Sequence, residues 1–171
     1  MINFSFNISK YIGLLHLSGM IIESTYGFIF VKHVTYDKLY IITLTFIPFS
    51  WIICNDECII SYLIKKNENP KYRLGDEPEN VEDISNFFTN KPQYILFNNI
   101  NYFLRLFSLI IVNHRTTQIS YLTLIPTVTL YSFYIYDITY KLNIRKQMHP
   151  YFQIILCLYL LNIFCKIVMS T

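Results

Sequence analysis

The side chains equipped for chemistry in this sequence are acids, bases and thiols set inside apolar runs. His16, Glu23, Cys54, Glu57, Cys58 and His114 are all of types that ligate metals. No H-E-x-x-H or C-x-x-C spacing organises them. Cys54 and Cys58 are four residues apart, which on a helix puts both thiols on one face. Buried cysteine is more often a small apolar filler than a ligand, so neither a metal nor another cofactor is expected. No glycine-rich phosphate loop and no G-x-S-x-G nucleophile turn occurs.

The carboxylates point to ion pairing instead. The run WIICNDECIISYLIKK, Trp51 to Lys66, carries Asn55-Asp56-Glu57-Cys58 at its centre. Ionised groups inside membrane helices are costly and face the bundle interior or water. Besides Asp56 and Glu57, the groups so placed are His16, Glu23, Arg105, Asp137 and Lys166. At ~100° per residue, His16 and Glu23 stack on one face with Gly19 and Gly27. Small residues at such spacing let a neighbouring backbone approach closely. Asn98, Asn101, Tyr102 and Arg105 share another face, too polar for lipid and expected to point inward. On a regular helix Trp51, Cys54, Asn55, Cys58 and Tyr62 form one face, with Glu57 at its edge. Asp56 then falls among Ile52, Ile59 and Leu63 and aims at lipid. Either the helix is irregular there, or position 56 already lies near the headgroups and the carboxylates mark the end of the span. The functional alternative pairs Glu57, with Glu23, to Arg105 in the interior, since isolated charges there are prohibitive. Asp137 and Lys166 lie near segment ends and read as interfacial.

The elements that must carry these groups are membrane helices. Of the 171 residues, 53% are hydrophobic and 15% charged, against about 25% charged in ordinary globular chains. Alanine is absent, and the favoured Ile, Phe, Tyr, Asn and Lys have A/T-rich codons. That bias tempers any reading of single Tyr or Asn residues. The net charge of +3 is small and its bases are spread along the chain, which argues against a nucleic-acid partner. The four cysteines, including Cys157 and Cys165, lie in apolar runs and are expected to be reduced, since disulfide frameworks belong to small polar secreted domains. Lys10 and His16 interrupt the N-terminal apolar run, so no cleavable signal peptide is expected.

A spanning helix takes about 20 mostly apolar residues. Five windows qualify: about 8–31, 38–63, 93–113, 118–140 and 150–169. The predicted fold is therefore a single all-α domain, an integral membrane bundle of about five helices, with Pro48 and Pro126 as tolerated kinks. Lys and Arg counts set the orientation. Lys10, Lys65, Lys66, Lys71, Arg73, Lys91, Lys141, Arg145 and Lys146 fall on one side, and Lys32, Lys38 and Arg115 on the other. This bias puts the N-terminus and the 65–92 loop in the cytosol and the C-terminus opposite. Within that loop, Asp76, Pro78 and Glu79 resemble a capped helix start, with Val81, Ile84 and Phe88 on one face; a disordered acidic loop is the alternative.

The run Trp51…Asn55-Asp56-Glu57-Cys58-Ile59-Ile60-Ser61-Tyr62-Leu63 resembles a pattern in small multi-pass membrane proteins of large DNA viruses and bacteria, the uncharacterised DUF2784-like group. Trp51, Cys58 and Ser61 are the motif positions, and the preceding helix with a histidine, here His16, also fits. The resemblance covers roughly residues 10–66; Lys65-Lys66 stand where the pattern has an acid, and no proline follows the cysteine. The group has no established activity, so it implies location and architecture alone.

The favoured reading is a structural or accessory membrane component with no enzymatic role, in contact with the bilayer and with other membrane proteins. The alternative is a small ion or proton pathway, or a transporter subunit, using Glu23, Glu57 and Arg105, with His16 as a pH-sensitive group. A third reading is an enzyme acting on lipid or thiols through Cys58.

Overall fold

The computed structural model describes residues 4–169, and within them every regular element is helical. The helices are α1 (Phe4–Ile29), α2 (Val34–Ile53), α3 (Ile59–Glu68), α4 (Glu82–Ser85), α5 (Lys91–Val112), α6 (Tyr121–Thr139), α7 (Ile144–Gln147) and α8 (Tyr151–Met169). A π-helical turn, Asn113–Thr117, extends α5.

Local chemistry explains the starts. His33 caps α2 by accepting the Tyr36 N–H, and Asp37 sits in the first turn, where a carboxylate meets the positive end of the helix dipole. Asn90 caps α5 by accepting the Gln93 N–H at 3.0 Å, with Pro92 in the first turn, where its missing N–H costs nothing. Ser120 caps α6 through the Leu122 N–H.

Three helices are long and apolar enough to cross a membrane: Lys10–Ile29, Lys91–Thr117 and Tyr151–Met169. This is fewer than the five expected. The other two long helices, α2 and α6, exist near the predicted windows, but Asp37 and Lys38 dilute one and a run of Thr and Tyr the other.

A second departure is larger. The window 38–63 is not one helix. α2 stops at Ile53, and Asn55 and Asp56 follow with φ of 52° and 71°. Asn and Asp are the side chains that best tolerate this left-handed region. The helix is therefore irregular, the first of the two options for Asp56, and the shared face of Cys54, Asn55, Cys58 and Tyr62 does not exist. In the loop beyond, the expected helix after Asp76 shrinks to the four residues of α4, although Ile84 is buried as its pattern implied.

α8 packs between α2 and α6, while α1 packs along α5 and over α4. Two apolar clusters result. Tyr40, Ile41, Val112, Ile119, Leu124, Ile163 and Ile167 fill the end near the α1–α2 turn. Tyr134, Phe152, Leu156 and Leu160 fill the other. Outward faces stay greasy: Leu15, Phe103, Leu122 and Leu158 are all more than half exposed, which suits lipid rather than water as the surrounding solvent.

Of the predicted small-residue face on α1, Gly27 is a contact and Gly19 is not. A Cβ on Gly27 would lie 2.6 Å from the Ser108 carbonyl oxygen, whereas one on Gly19 would meet nothing within 4 Å. Gly27→Val is thus expected to push α1 off α5 and lower stability by ~1–3 kcal/mol, the usual range for overpacking. Gly19→Val should be neutral. Thermal unfolding in detergent checks the pair; equal midpoints would contradict the packing described.

Candidate functional site

The polar residues gather in five places. Arg105 on α5 lies in the interior with its Nη2 2.8 Å from Glu23 Oε2 on α1. Asn101 is buried one turn before it, and Asn98 and Tyr102 are half-buried on the same face. The inward stripe on this helix is thus present. The expected pairing of Glu57 with Arg105 is not: the carboxylate Arg105 takes is Glu23, because the break after α2 carries Glu57 away from α5.

Glu57 instead organises the loop. Its Oε1 accepts from Lys65 Nζ at 2.8 Å and from the Tyr72 hydroxyl at 2.7 Å, and its Oε2 from the Gly75 N–H at 2.8 Å. Lys65 Nζ also reaches the Glu77 carbonyl at 2.7 Å. Gly75 has φ of 86°, and a Cβ there would sit 2.7 Å from the Asn55 Cβ, so only glycine fits against the helix break. Asn55 reaches the Leu74 carbonyl at 3.4 Å. This answers why a greasy run carries N-D-E-C: it is a turn, and its carboxylates clamp distant segments.

Asp56 serves the same end differently. It accepts from the Tyr134 hydroxyl at 2.9 Å and pairs with Arg145 on α7. Arg145 Nε also lies 3.0 Å from Asp137 Oδ2. Asp137, expected at the interface, is fully buried, and its other oxygen holds the Ile144 N–H at 2.8 Å. Lys166 likewise turns inward, donating to Thr123 at 2.9 Å. At the opposite end of the bundle, buried Asp37 receives Arg115, Thr116 and the Tyr26 hydroxyl.

The fifth cluster contains the reactive types. His16 Nδ1 is 2.7 Å from Asp83 Oδ2, and Ser61 donates to Asp83 Oδ1 at 2.8 Å. The Cys58 thiol is in polar contact with the His16 ring, and the first-turn amides of Ile60 and Ser61 face its sulfur. Cys58 occupies the N-cap position of α3 without a capping hydrogen bond from its side chain. Burial pushes its thiol up, but His16 and those amides outweigh this and hold it below the ordinary thiol value. Gly13, one turn before His16, lets the Asp83 backbone reach α1, since a Cβ there would fall 2.1 Å from the Asp83 carbonyl oxygen.

His16 and Cys58 both line a groove of about 1540 Å³ between α1, α2 and α3. Its walls include Ile12, Leu15, Phe46 and Trp51, with Glu23 and Arg105 deeper along it. α1 and α2 touch at their joined end, where Tyr26 stacks on Tyr40 with centroids 4.5 Å apart, and diverge toward α3. No group of three metal-ligating side chains converges among the described residues.

Asp83, Lys65, Gly75 and Arg145 were not picked out as site residues from the sequence. The two bases read as topology markers and Asp83 as one acid of an acidic loop, and their partners lie across the break or far along the chain. The residues define an all-α protein with membrane-type helices and a polar, thiol-bearing cluster at one end of an apolar groove. No protein-family model, no curated protein and no solved structure matches the chain.

Two tests follow. Burial opposes the Lys65 charge, but the Glu57 and Tyr72 bonds outweigh it and hold its pKa above the ordinary 10.5. A raised base stabilises fully below its unfolded value and loses that contribution as pH climbs through the folded one. Amide exchange of residues 70–80 should therefore stay slow up to about pH 10.5 and accelerate above it. Lys65→Met should expose the segment at every pH; a loop already open at pH 9 would contradict the clamp. Separately, Arg145→Leu leaves Asp56 and Asp137 without their cation, and a loss of ~3–5 kcal/mol is expected. An unfolding midpoint equal to wild type would show that the pairs carry no weight.

Proposed function

We propose that the chain is a multi-pass membrane protein whose α1–α2 groove holds the acyl chain of an amphiphile taken laterally from the bilayer. One observation carries this: the groove's size and lining. At about 1540 Å³ it exceeds the ~300–1,000 Å³ of compact small-molecule sites. From Ile12 to Tyr26 it runs roughly 21 Å along α1, more than one leaflet of a hydrocarbon core about 30 Å thick. Its walls are mostly apolar; Cys58 and Asn67 stand at the α3 end, His16, Glu23 and Arg105 along its length, and His33 at the α1–α2 turn.

In this reading α1, α2, α5, α6 and α8 all cross the bilayer. The α2 and α6 spans are the less apolar because they shelter charge and hydroxyl groups inside the bundle. The Lys and Arg excess beside α3, α4 and α7 makes that side cytosolic, with the C-terminus opposite. An accessory role within a larger assembly fits the same architecture, and the groove then adds a bound lipid to it. The conduit reading is weaker: Glu57 is committed to Lys65, Tyr72 and Gly75, so the proposed set of midplane charges loses a member.

The test is native mass spectrometry of the purified chain from mild detergent. One retained phospholipid or fatty acid is expected. Gly19→Trp, which projects a ring into open groove space, should abolish retention while leaving the unfolding midpoint unchanged. A chain that carries no lipid, or that pairs with a second copy through this groove, would overturn the reading.

A further inference from the structure

The groove ends at a nucleophile, a base and a carboxylate held in sequence. Asp83 is buried, with its side chain 1% exposed, and fixes His16 through Nδ1. That leaves Nε2 as the ring nitrogen available to the Cys58 thiol. Ser61 occupies the second Asp83 oxygen, so the carboxylate cannot swing away. Three separate elements deliver these groups: α1, the start of α3, and α4. The charged groups around the ring are Asp83 from α4, Cys58 from the α3 start, and Glu23 farther along the same face of α1, the last tied to Arg105 of α5. A clasp needed merely to hold α4 on α1 would be complete with His16, Asp83 and Ser61. It would not require a thiol against the ring, nor an apolar groove opening at that thiol.

Resting on the groove reading above, we infer that Cys58 is an acyl-accepting nucleophile, with His16 as its base and Asp83 as the positioning carboxylate. The substrate class is a long-chain acyl thioester whose chain lies between α1 and α2. The Cys58 sulfur, its proton already held by the His16 ring, attacks the acyl carbonyl carbon. The new carbon–sulfur bond forms as the bond to the donor's sulfur breaks, and His16 returns the proton to the departing thiolate. Nothing is oxidised or reduced; one thioester replaces another, so the step is close to energy-neutral and needs no further reactant. The first-turn amides of α3 favour the thiolate, as helix N-termini do for reactive cysteines. Asp83 touches no reacting atom. It sets the tautomer and orientation of His16.

The chain supplies its own controls, since Cys54, Cys157 and Cys165 are free thiols in other settings and Cys165 is the exposed one. The experiment incubates the full-length protein in lipid nanodiscs with palmitoyl-coenzyme A and maps acylation by mass spectrometry. One hydroxylamine-labile palmitoyl group on Cys58 is expected, and none on Cys58→Ala. His16→Gln should slow labelling by ~100-fold or more, the usual worth of a general base. Asp83→Asn should shift the pH profile of labelling as well as its rate, which loss of a merely structural bond would not do. Acetyl-coenzyme A should react at least ~10-fold more slowly, because a two-carbon acyl group buries no chain in the groove. Should His16→Gln fail to fold, the chain-length ratio and the Cys58-to-Cys165 labelling ratio in the wild type decide the matter alone. Labelling spread evenly over the four cysteines, or indifferent to chain length, overturns the inference. If wild type retains lipid but takes no acyl group, this inference falls and the groove reading stands; if it does neither, both fall.

Discussion

An ionised side chain taken out of water costs several kcal/mol unless a counter-ion and hydrogen bonds replace its hydration. This chain places Glu23, Asp37, Glu57, Asp83, Asp137, Arg105 and Arg145 where little solvent reaches, and each faces a counter-ion, although Glu23 Oε1 and Arg105 Nε make no hydrogen bond. His16 takes Asp83, Lys65 takes Glu57, Arg105 takes Glu23, Arg115 takes Asp37, and Arg145 takes both Asp56 and Asp137. Most of these pairs link elements distant in sequence. With little water in the surroundings to offer an alternative, the pairs act as registration pins: Arg115 ties the α5 end to α2, and Arg145 ties α7 to the break after α2. A more exposed pair, Lys141 with Glu79, joins the α6–α7 connection to the loop before α4. That pair holds the Glu79 carboxyl below its ordinary range although partial burial pushes the other way.

The pins divide the molecule by function. At the end with Asp37, Arg115, Tyr26 and Tyr40 the rings stack and the cation is held by Asp37 and the Gly27 and Phe30 carbonyls. At the other end α1 leans on α5 and α4 while α2 leans on α8, and the two diverge. α3 lies across the gap because Asn55 and Asp56 turn the chain sharply after α2. The groove is thus a consequence of where the helix breaks and which partners α1 and α2 choose. The same break sets Cys58 at a helix start beside His16.

How much of this was legible in the residues depended on range. Periodicity located four of the five long helices within a few residues of their ends and overran the end of α2 by ten, and it placed Asn101 and Arg105 inward, because a helix face is a local property. It also put His16 and Glu23 on one face, and both line the groove. It failed over 54–58, where a helical wheel presumes an unbroken helix. The left-handed turn at Asn55-Asp56 is favoured locally only weakly and is secured by Gly75 and Leu74, some twenty residues on. The partners were harder still. His16 and Asp83 are 67 positions apart, and nothing in a single sequence couples them. Arg145 looked like one more interfacial base, and its burial depends on two carboxylates from different segments. Membrane crossing is the intermediate case, since three helices meet the length and apolarity required while α2 and α6 trade apolar surface for the groups that pin the bundle.

The central claim is that the outward faces of these helices dissolve in lipid while the ionic groups find one another inside. It is tested most directly by spin labels introduced one at a time along α1, α5 and α8 of the protein in bilayers, with collision rates measured against oxygen and a water-soluble nickel complex. Labels at Leu14, Phe103 and Leu158, all outward-facing, should meet oxygen freely and nickel hardly at all. Labels at Ser108 and Leu156, both fully buried, should meet neither. Ready collision with the nickel complex at Leu14, Phe103 and Leu158 would contradict the account.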